Sequence, residues 1–399
     1  MKNLIIYLSV LCALSCLVSC TDENSKDSRF IYFGIHEPYV RIGEVEFIID
    51  SYAGEIYNPE QLPVGTDLTA IKIWFATNHP NEGIFVNGTK QYSGETVNDF
   101  TNPVEYEIRT KNETRKYTVT INVSATCNTQ VGIKLSNNDL VASVNDDESW
   151  WLSPSIRVSK VEFTTATTSV RNLRLYLLEV DNTDESIAIY PTLPDNGNEW
   201  GKQNMVNQAK SARDAGINVF AAINGDVFGD DGEPEGIVCR NGVYLKDTFD
   251  DETNGSFFGI RSDGRAALGD YSEFLIVKDK LHNAIGACRK LVIENGSVAP
   301  MNTPPSNRTA VGMNAFDLKT LYFVVVEGLE GDDPDDPKGI TLAELAGCMI
   351  TLGAGHAVSL DGGASSTFVV RGEDNQFTAL NRPSSELENV GNGIAIISK

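Results

Sequence analysis

Between Thr341 and Gly363 the chain passes from a capped helix into a buried strand and on into an acidic glycine turn, with almost no slack. Thr341-Leu342-Ala343-Glu344 has the T-x-x-E spacing of a capping box, in which two side chains satisfy exposed amides of a helix's first turn. Leu342, Leu345, Ala346, Met349 and Ile350 then fall at i, i+3, i+4, i+7 and i+8, which makes one apolar face. Gly353 ends the helix, and Ala357 to Leu360 read as a short apolar strand that delivers Asp361 into Gly362-Gly363. Glycines take backbone angles that other residues resist, and they let a ligand approach bare amides. Ser365, Ser366 and Thr367 add hydroxyls directly behind. A lone acid at a strand tip, followed by small and hydroxyl residues, suits a polyoxygenated or phosphorylated ligand. A plain polar turn between two strands is the simpler alternative.

The pattern has a counterpart earlier in the chain. Gln203 to Ala215 reads as a helix with Met205, Val206, Ala209, Ala212 and Ala215 on one face, and Gly216 stops it. The buried strand Ile217 to Ile223 follows and opens into Asn224-Gly225-Asp226. Further on, Pro304-Pro305-Ser306-Asn307-Arg308-Thr309 leads to the apolar strand Leu321 to Val326, which ends at Glu327-Gly328. An arginine such as Arg308 is either solvated or a clamp whose planar fork of donors matches phosphate oxygens. Asn381-Arg382-Pro383-Ser384-Ser385 repeats the polar-plus-arginine theme before the last strand, Ile394 to Ile397. Strands mixed with two clear helices predict an α+β domain with a sizeable mixed β-sheet and few helices over residues 148–399.

The N-terminal part reads differently. Lys2 and Asn3 precede an apolar run, Leu4 to Val18, with the make-up of a bacterial secretory signal. It ends Leu17-Val18-Ser19-Cys20, which resembles a lipobox, so residues 1–19 are expected to be removed and Cys20 to be lipidated. Residues 20–29 then form an acidic tether of the kind found in Bacteroides-type surface lipoproteins. The expected location is the cell envelope, lipid-anchored to the outer membrane, because no other apolar stretch approaches the ~20 residues of a membrane span. Residues 30–125 read as all-β: Tyr117, Val119, Ile121 and Val123 alternate with polar neighbours at the period of a half-buried strand. The stretch Asp99 to Tyr106 with Arg115 to Ile121 resembles an Ig-like sandwich module. Residues 126–147, rich in Asn, Asp and Ser from Ser136 onward, are expected to be a linker.

Charge and cysteine usage narrow the chemistry. A net charge of −23 excludes a nucleic-acid partner, whose phosphates need a basic face, and leaves the lipid anchor as the only membrane contact. Cys127, Cys239, Cys288 and Cys348 show no C-x-x-C spacing, and His36, His79, His282 and His356 lie far apart, so no metal or other cofactor is expected. The acidic runs Asp230 to Glu233 and Asp332 to Asp336 offer oxygen ligands for calcium, but neither has EF-hand spacing, and solvated loops are the preferred reading.

The motifs N-G-D-x-F, S-N-R-T-A-V-G, V-V-V-E-G, G-I-T-L-A-E-L-A, S-L-D-G-G-A-S-S and N-R-P-S, in that order from Asn224 to Ser384, resemble the phosphodiester glycosidase family. The resemblance covers roughly residues 155–399. It implies hydrolysis of the glycosidic C–O bond of a sugar-1-phosphodiester, such as an N-acetylglucosamine-1-phosphodiester, with a glycan or glycosyl-phosphodiester as the partner. It gathers Asn224, Asp226, Arg308, Asp361, Gly362, Gly363 and Arg382 around one site. Phosphate is a better leaving group than a sugar hydroxyl, so neutralising phosphate charge matters more than a strong general acid. Asp361, Asp226 and Glu327 are the expected catalytic carboxylates, with Asp361 closest to the chemistry. Asn224, Gly225, Arg308, Gly362, Gly363, Ser365, Ser366, Asn381 and Arg382 are the expected substrate and phosphate contacts. The chain departs from the family pattern at Glu327 (usually aspartate), Leu329 (usually arginine), Ala364 (often glycine) and Glu388-Asn389 (usually Glu-Arg). A non-catalytic glycan-binding lipoprotein that keeps the fold is therefore the alternative. A metal-dependent phosphodiesterase ranks last, because histidines are scarce.

Overall fold

The computed structural model describes residues 28–35, 45–78, 82–253, 255–300, 302–314, 319–329, 339–381 and 386–399. The expected signal, the lipidated Cys20 and residues 21–27 of the expected tether lie outside these residues, as do Arg382 and the acidic run 332–336. The chain divides into two compact units, one built mainly from residues up to Ile121 and the other mainly from Asn122–Lys399. Strands make up 48% of it and helices 14%, so it is sheet-dominated, as expected.

The N-terminal unit is β-rich. Its main sheet runs in the order Ile48–Asp50, Glu55–Tyr57, Thr114–Thr120, Val104–Arg109, Gly83–Val86, Thr89–Gln91. Thr114–Thr120 pairs in parallel with Glu55–Tyr57, and the other ladders of this sheet are antiparallel. The alternation seen in the sequence holds: Tyr117 and Val119 are buried, and Phe30, Phe33, Tyr106 and Tyr117 meet edge to face. Val45–Glu46 and Ile48–Asp50 are two short strands.

Three antiparallel sheets build the C-terminal unit. The largest runs Val141–Ser153, Ile156–Thr165, Asn172–Asp181, Thr320–Gly328, Arg308–Asn314, Ala354–Ser359, Arg289–Ile293, Gly296–Ser297. Side chains alternate across it. Tyr322, Val324 and Val326 enter one core with Leu345, Ala346 and Met349 of the helix Leu342–Leu352, whereas Leu321, Phe323 and Val325 enter a second core. That second core also takes Ile223, Phe368 and Ile394 from the sheet Ile187–Thr192, Gly393–Ser398, Asn218–Asn224, Phe368–Arg371, Phe377–Ala379. It takes Phe258 and Ile285 from the third sheet, whose central strands are Val238–Arg240, Leu281–Ala287 and Ser256–Arg261. The best-specified helix forms as its sequence dictates: both halves of the Thr341/Glu344 capping box are made, and Gly353 closes it at φ 109°.

Residues 126–147 are not a linker. Thr129 caps the helix Gln130–Ser136, and Val141–Ser153 is the outer strand of the largest sheet. The polar residues that suggested a linker are held by hydrogen bonds. Asp147 is buried and accepts from Asn128 N (2.9 Å), Thr129 N (2.6 Å) and Thr129 Oγ1 (2.7 Å). The outer strand keeps much of its surface in water, so its composition is polar without its backbone being free. A further helix, Tyr271–Val277, carries an Asp270/Glu273 capping box, a local signal that the sequence reading passed over.

Candidate functional site

The strands Asn218–Asn224 and Ala354–Ser359 belong to different sheets, and each runs into one of the two acidic loops. Hydrogen bonds tie the loops together. Asp361 N donates to the Gly225 carbonyl at 3.0 Å, and Asn224 Nδ2 donates to the Asp361 carbonyl at 2.9 Å. Asn224 Oδ1 accepts from Thr309 Oγ1 (2.8 Å) and Thr367 N (3.1 Å). Asn224 is thus completely buried and its side-chain amide is engaged by the chain itself. Asn381 is engaged in the same way: it is fully buried, accepts from Phe368 N at 2.6 Å and donates to the Ser366 carbonyl at 2.8 Å.

Asp226 sits immediately after Gly225. Its N–H donates to Asn392 Oδ1 at 2.8 Å, while Gly225 N donates to the Asn392 carbonyl at 3.0 Å. A Cβ on Gly225 would lie 2.2 Å from Asn392 Oδ1, so glycine is required by close approach. The Asp226 carboxylate accepts from Val227 N (2.9 Å) and Gly236 N (2.7 Å). Its space is left by two more glycines: a Cβ on Gly286 or Gly236 would come within 2.1 or 2.8 Å of Oδ2. Burial raises its pKa from 3.8 to about 7; the amides oppose this, and the Glu235 and Asp361 charges add to it. Asn392, Gly236 and Gly286 were not anticipated, because their relevance depends on packing between distant strands.

Asp361 is half-buried and more accessible than Asp226. Gly362 N donates to its Oδ1 at 2.8 Å. Burial raises its pKa; hydrogen bonds from Ser365 and Gly362 lower it, Glu388 raises it and Arg308 lowers it. Gly363 takes φ 63° and donates its N–H to the Asn307 carbonyl at 2.8 Å, which lays the glycine turn against the start of the Arg308–Asn314 strand. Arg308 Nη1 lies 3.4 Å from where a Gly362 Cβ would be. Arg308 Nη2 donates to the Pro304 carbonyl at 2.9 Å, and burial pulls the guanidinium's pKa down. Cys288, a half-buried free thiol, lies in the field of both aspartates, and its pKa is pushed well up by burial first and by their charge second. Ser365 is buried beside Asp361, while Ser366 is fully enclosed and its hydroxyl finds no hydrogen-bond partner.

Glu327, the third expected acid, is engaged by an arginine of the neighbouring strand. It is buried on Thr320–Gly328, and its Oε1 pairs with Arg174 Nη1 at 3.1 Å; Arg174 also holds Glu162 at 2.7 Å. Arg308 stands opposite Val326 in the ladder, so the Arg308 and Glu327 side chains leave the sheet on opposite faces. Among the described residues no group of three or more His, Cys, Asp or Glu side chains is placed to hold a metal ion. In the run Asp230 to Glu233, Asp231 Oδ1 accepts from Glu233 N at 3.0 Å, and Glu233 pairs with Lys246 at 3.1 Å. No helix among the described residues is long and apolar enough to cross a membrane.

Residues 218–397 match the family model described as phosphodiester glycosidase, and residues 19–121 match the N-terminal domain of a domain of unknown function (DUF6242). No curated protein matches the sequence. Among solved structures, the auto-inhibited catalytic domain of zebrafish N-acetylglucosamine-1-phosphodiester α-N-acetylglucosaminidase is 17% identical, with a TM-score of 0.47 over 63% of this chain and 88% of that one. A hypothetical protein from Synechocystis is 12% identical, with a TM-score of 0.46 over 64% of each chain.

Proposed function

We infer, for a chain whose residues 218–397 match the phosphodiester glycosidase family model, that it hydrolyses a sugar-1-phosphodiester at the bond between the anomeric carbon and the phosphate oxygen. The observation that carries this reading is the pairing of Asp226 with Asp361 beside Arg308 and the Gly362-Gly363 turn. Two neighbouring acids whose environments differ can divide the roles of proton donor and proton acceptor. Asp361, the more accessible of the two, attacks the anomeric carbon or activates the water that does. Asp226, neutral below about pH 7, sits behind it and keeps a second negative charge away from the departing phosphate. Water supplies hydroxide to the sugar carbon, and its proton leaves with the phosphomonoester. Arg308 and the backbone amides of the glycine turn balance the charge that develops on phosphate.

The test is hydrolysis of N-acetylglucosamine-1-phosphodiesters and of their glucose and mannose counterparts, with sugar and phosphomonoester measured separately. Asp361→Asn is expected to reduce turnover by roughly 10²–10⁴-fold, and Arg308→Ala by roughly 10²-fold with a higher KM. Wild-type protein that binds glycan but turns over none of these substrates would instead mark a non-catalytic binding module. For location, the sequence of the first 20 residues supports lipid attachment at Cys20 in the cell envelope. Metabolic labelling with palmitate, absent in Cys20→Ser, checks it.

A further inference from the structure

We propose that the C-terminal unit carries a second saccharide-binding site, distinct from the acid pair, in the open cleft of about 450 Å³ lined by Trp151, Leu152, Phe220, Arg371, Glu373 and Asn375. Phe220 stands on the same strand as Asn224, four residues upstream, which separates the cleft from the acid-bearing end by about 13 Å along the strand. The lining has two kinds of surface. Trp151 is 40% exposed, a large ring left in contact with water, and Phe220 is half-buried beside it. Aromatic faces are where the C–H faces of a sugar ring stack. Around them stand a guanidinium, a carboxylate and an amide, planar groups that pair with adjacent hydroxyls.

Arg371 and the backbone of the neighbouring turn are held in place without a ligand. The Arg371 guanidinium lies 5.0 Å over the Phe220 ring and donates to Asn218 Oδ1. Arg157 lies 5.6 Å over the Trp151 ring, so one face of each aromatic is backed by a cation. Glu373 and Asn375 stand on the tight turn between Phe368–Arg371 and Phe377–Ala379. That turn is closed by Gly372 N to the Gln376 carbonyl (2.8 Å) and Asn375 N to the Gly372 carbonyl (2.9 Å). Arg213, from the helix Met205–Asp214, donates to the Asn375 carbonyl at 3.0 Å and pins the turn from outside. A turn whose backbone is fixed this way loses little main-chain freedom on binding. The Arg371 and Glu373 charges balance, which points to a neutral ligand and away from phosphate. An open cleft accepts part of a longer glycan. The glycosidase reading helps only with the ligand class; the site itself does not depend on turnover.

Isothermal titration of the full chain with N,N′-diacetylchitobiose, maltotriose and α-mannotriose tests this. At least one is expected to bind with a Kd on the order of 1 mM. Asp361→Asn should bind it equally well, and Trp151→Ala should bind it about tenfold more weakly. Glu373→Ala, on an exposed turn, gives the same comparison if Trp151→Ala does not fold. Turnover of a small glycosyl phosphodiester by Trp151→Ala should equal wild type. Absence of binding by all three sugars at concentrations of roughly 20 mM overturns the proposal. So does binding that Asp361→Asn abolishes, or that Trp151→Ala and Glu373→Ala both leave intact. Failure of hydrolysis in the wild type counts against the acid-pair reading alone, because the titration does not rely on it.

Discussion

Asp226 is an acid that folding keeps protonated. Its folded pKa of about 7 stands above the ordinary 3.8, so between these values the folded chain binds a proton that the unfolded chain has released. Stability is therefore fully present below about pH 4 and is lost as pH rises toward about 7. Asp226→Asn removes that titration. Thermal melts of wild type and variant from pH 4 to 8 should show wild type losing stability over this window while the variant stays flatter. Parallel curves would place the responsible proton elsewhere. The same acid gives turnover an alkaline limb near pH 7 if its neutral form is the one that works. Residue identity revealed part of this. Asp226 and Asp361 were legible as acids at strand ends, a local pattern. That Asn224 and Asn381 bind other parts of the chain was not, because their partners, Thr309, Thr367 and Phe368, become neighbours only when strands pair and sheets pack.

Single elements show where local sequence suffices. The helix Leu342–Leu352 was readable down to its caps, since cap, apolar face and stop signal all lie within one stretch. Glu327 illustrates the limit: its ion pair with Arg174 joins residues 153 positions apart, and only the register of two strands sets them side by side. Glycines divide in the same way. Gly286 lies within the strand Leu281–Ala287, and a methyl there would meet the Asp226 carboxylate and the Gly236 backbone. Gly286→Ala is expected to cost about 1–3 kcal/mol and to lower hydrolysis by displacing the acid. Gly347, in the helix, would place a Cβ no closer than 3.9 Å to its nearest neighbour, Asn138 Nδ2. Gly347→Ala should stabilise by about 0.5–1 kcal/mol and leave turnover unchanged. Chemical denaturation beside the hydrolysis assay reads both; equal effects would mean the crowding around Asp226 is of no consequence.

For the whole molecule, a net charge of −23 would face the anionic substrate proposed above. Long-range repulsion slows its approach, and salt screens that repulsion more than it screens the half-buried Arg308. Raising ionic strength from about 0.01 to about 0.15 M shortens the screening length from about 30 to about 8 Å. The kcat/KM for a phosphodiester should rise over that range and level off; a steady fall would show that local attraction outweighs the overall field. The bonds joining Asn224, Gly225 and Asp361 have a further consequence. They make the proposed centre a seam between two sheets, so it has no existence apart from the closed fold. Residual activity during denaturation should then count the native molecules themselves, falling in step with the loss of tertiary structure and returning with it on refolding.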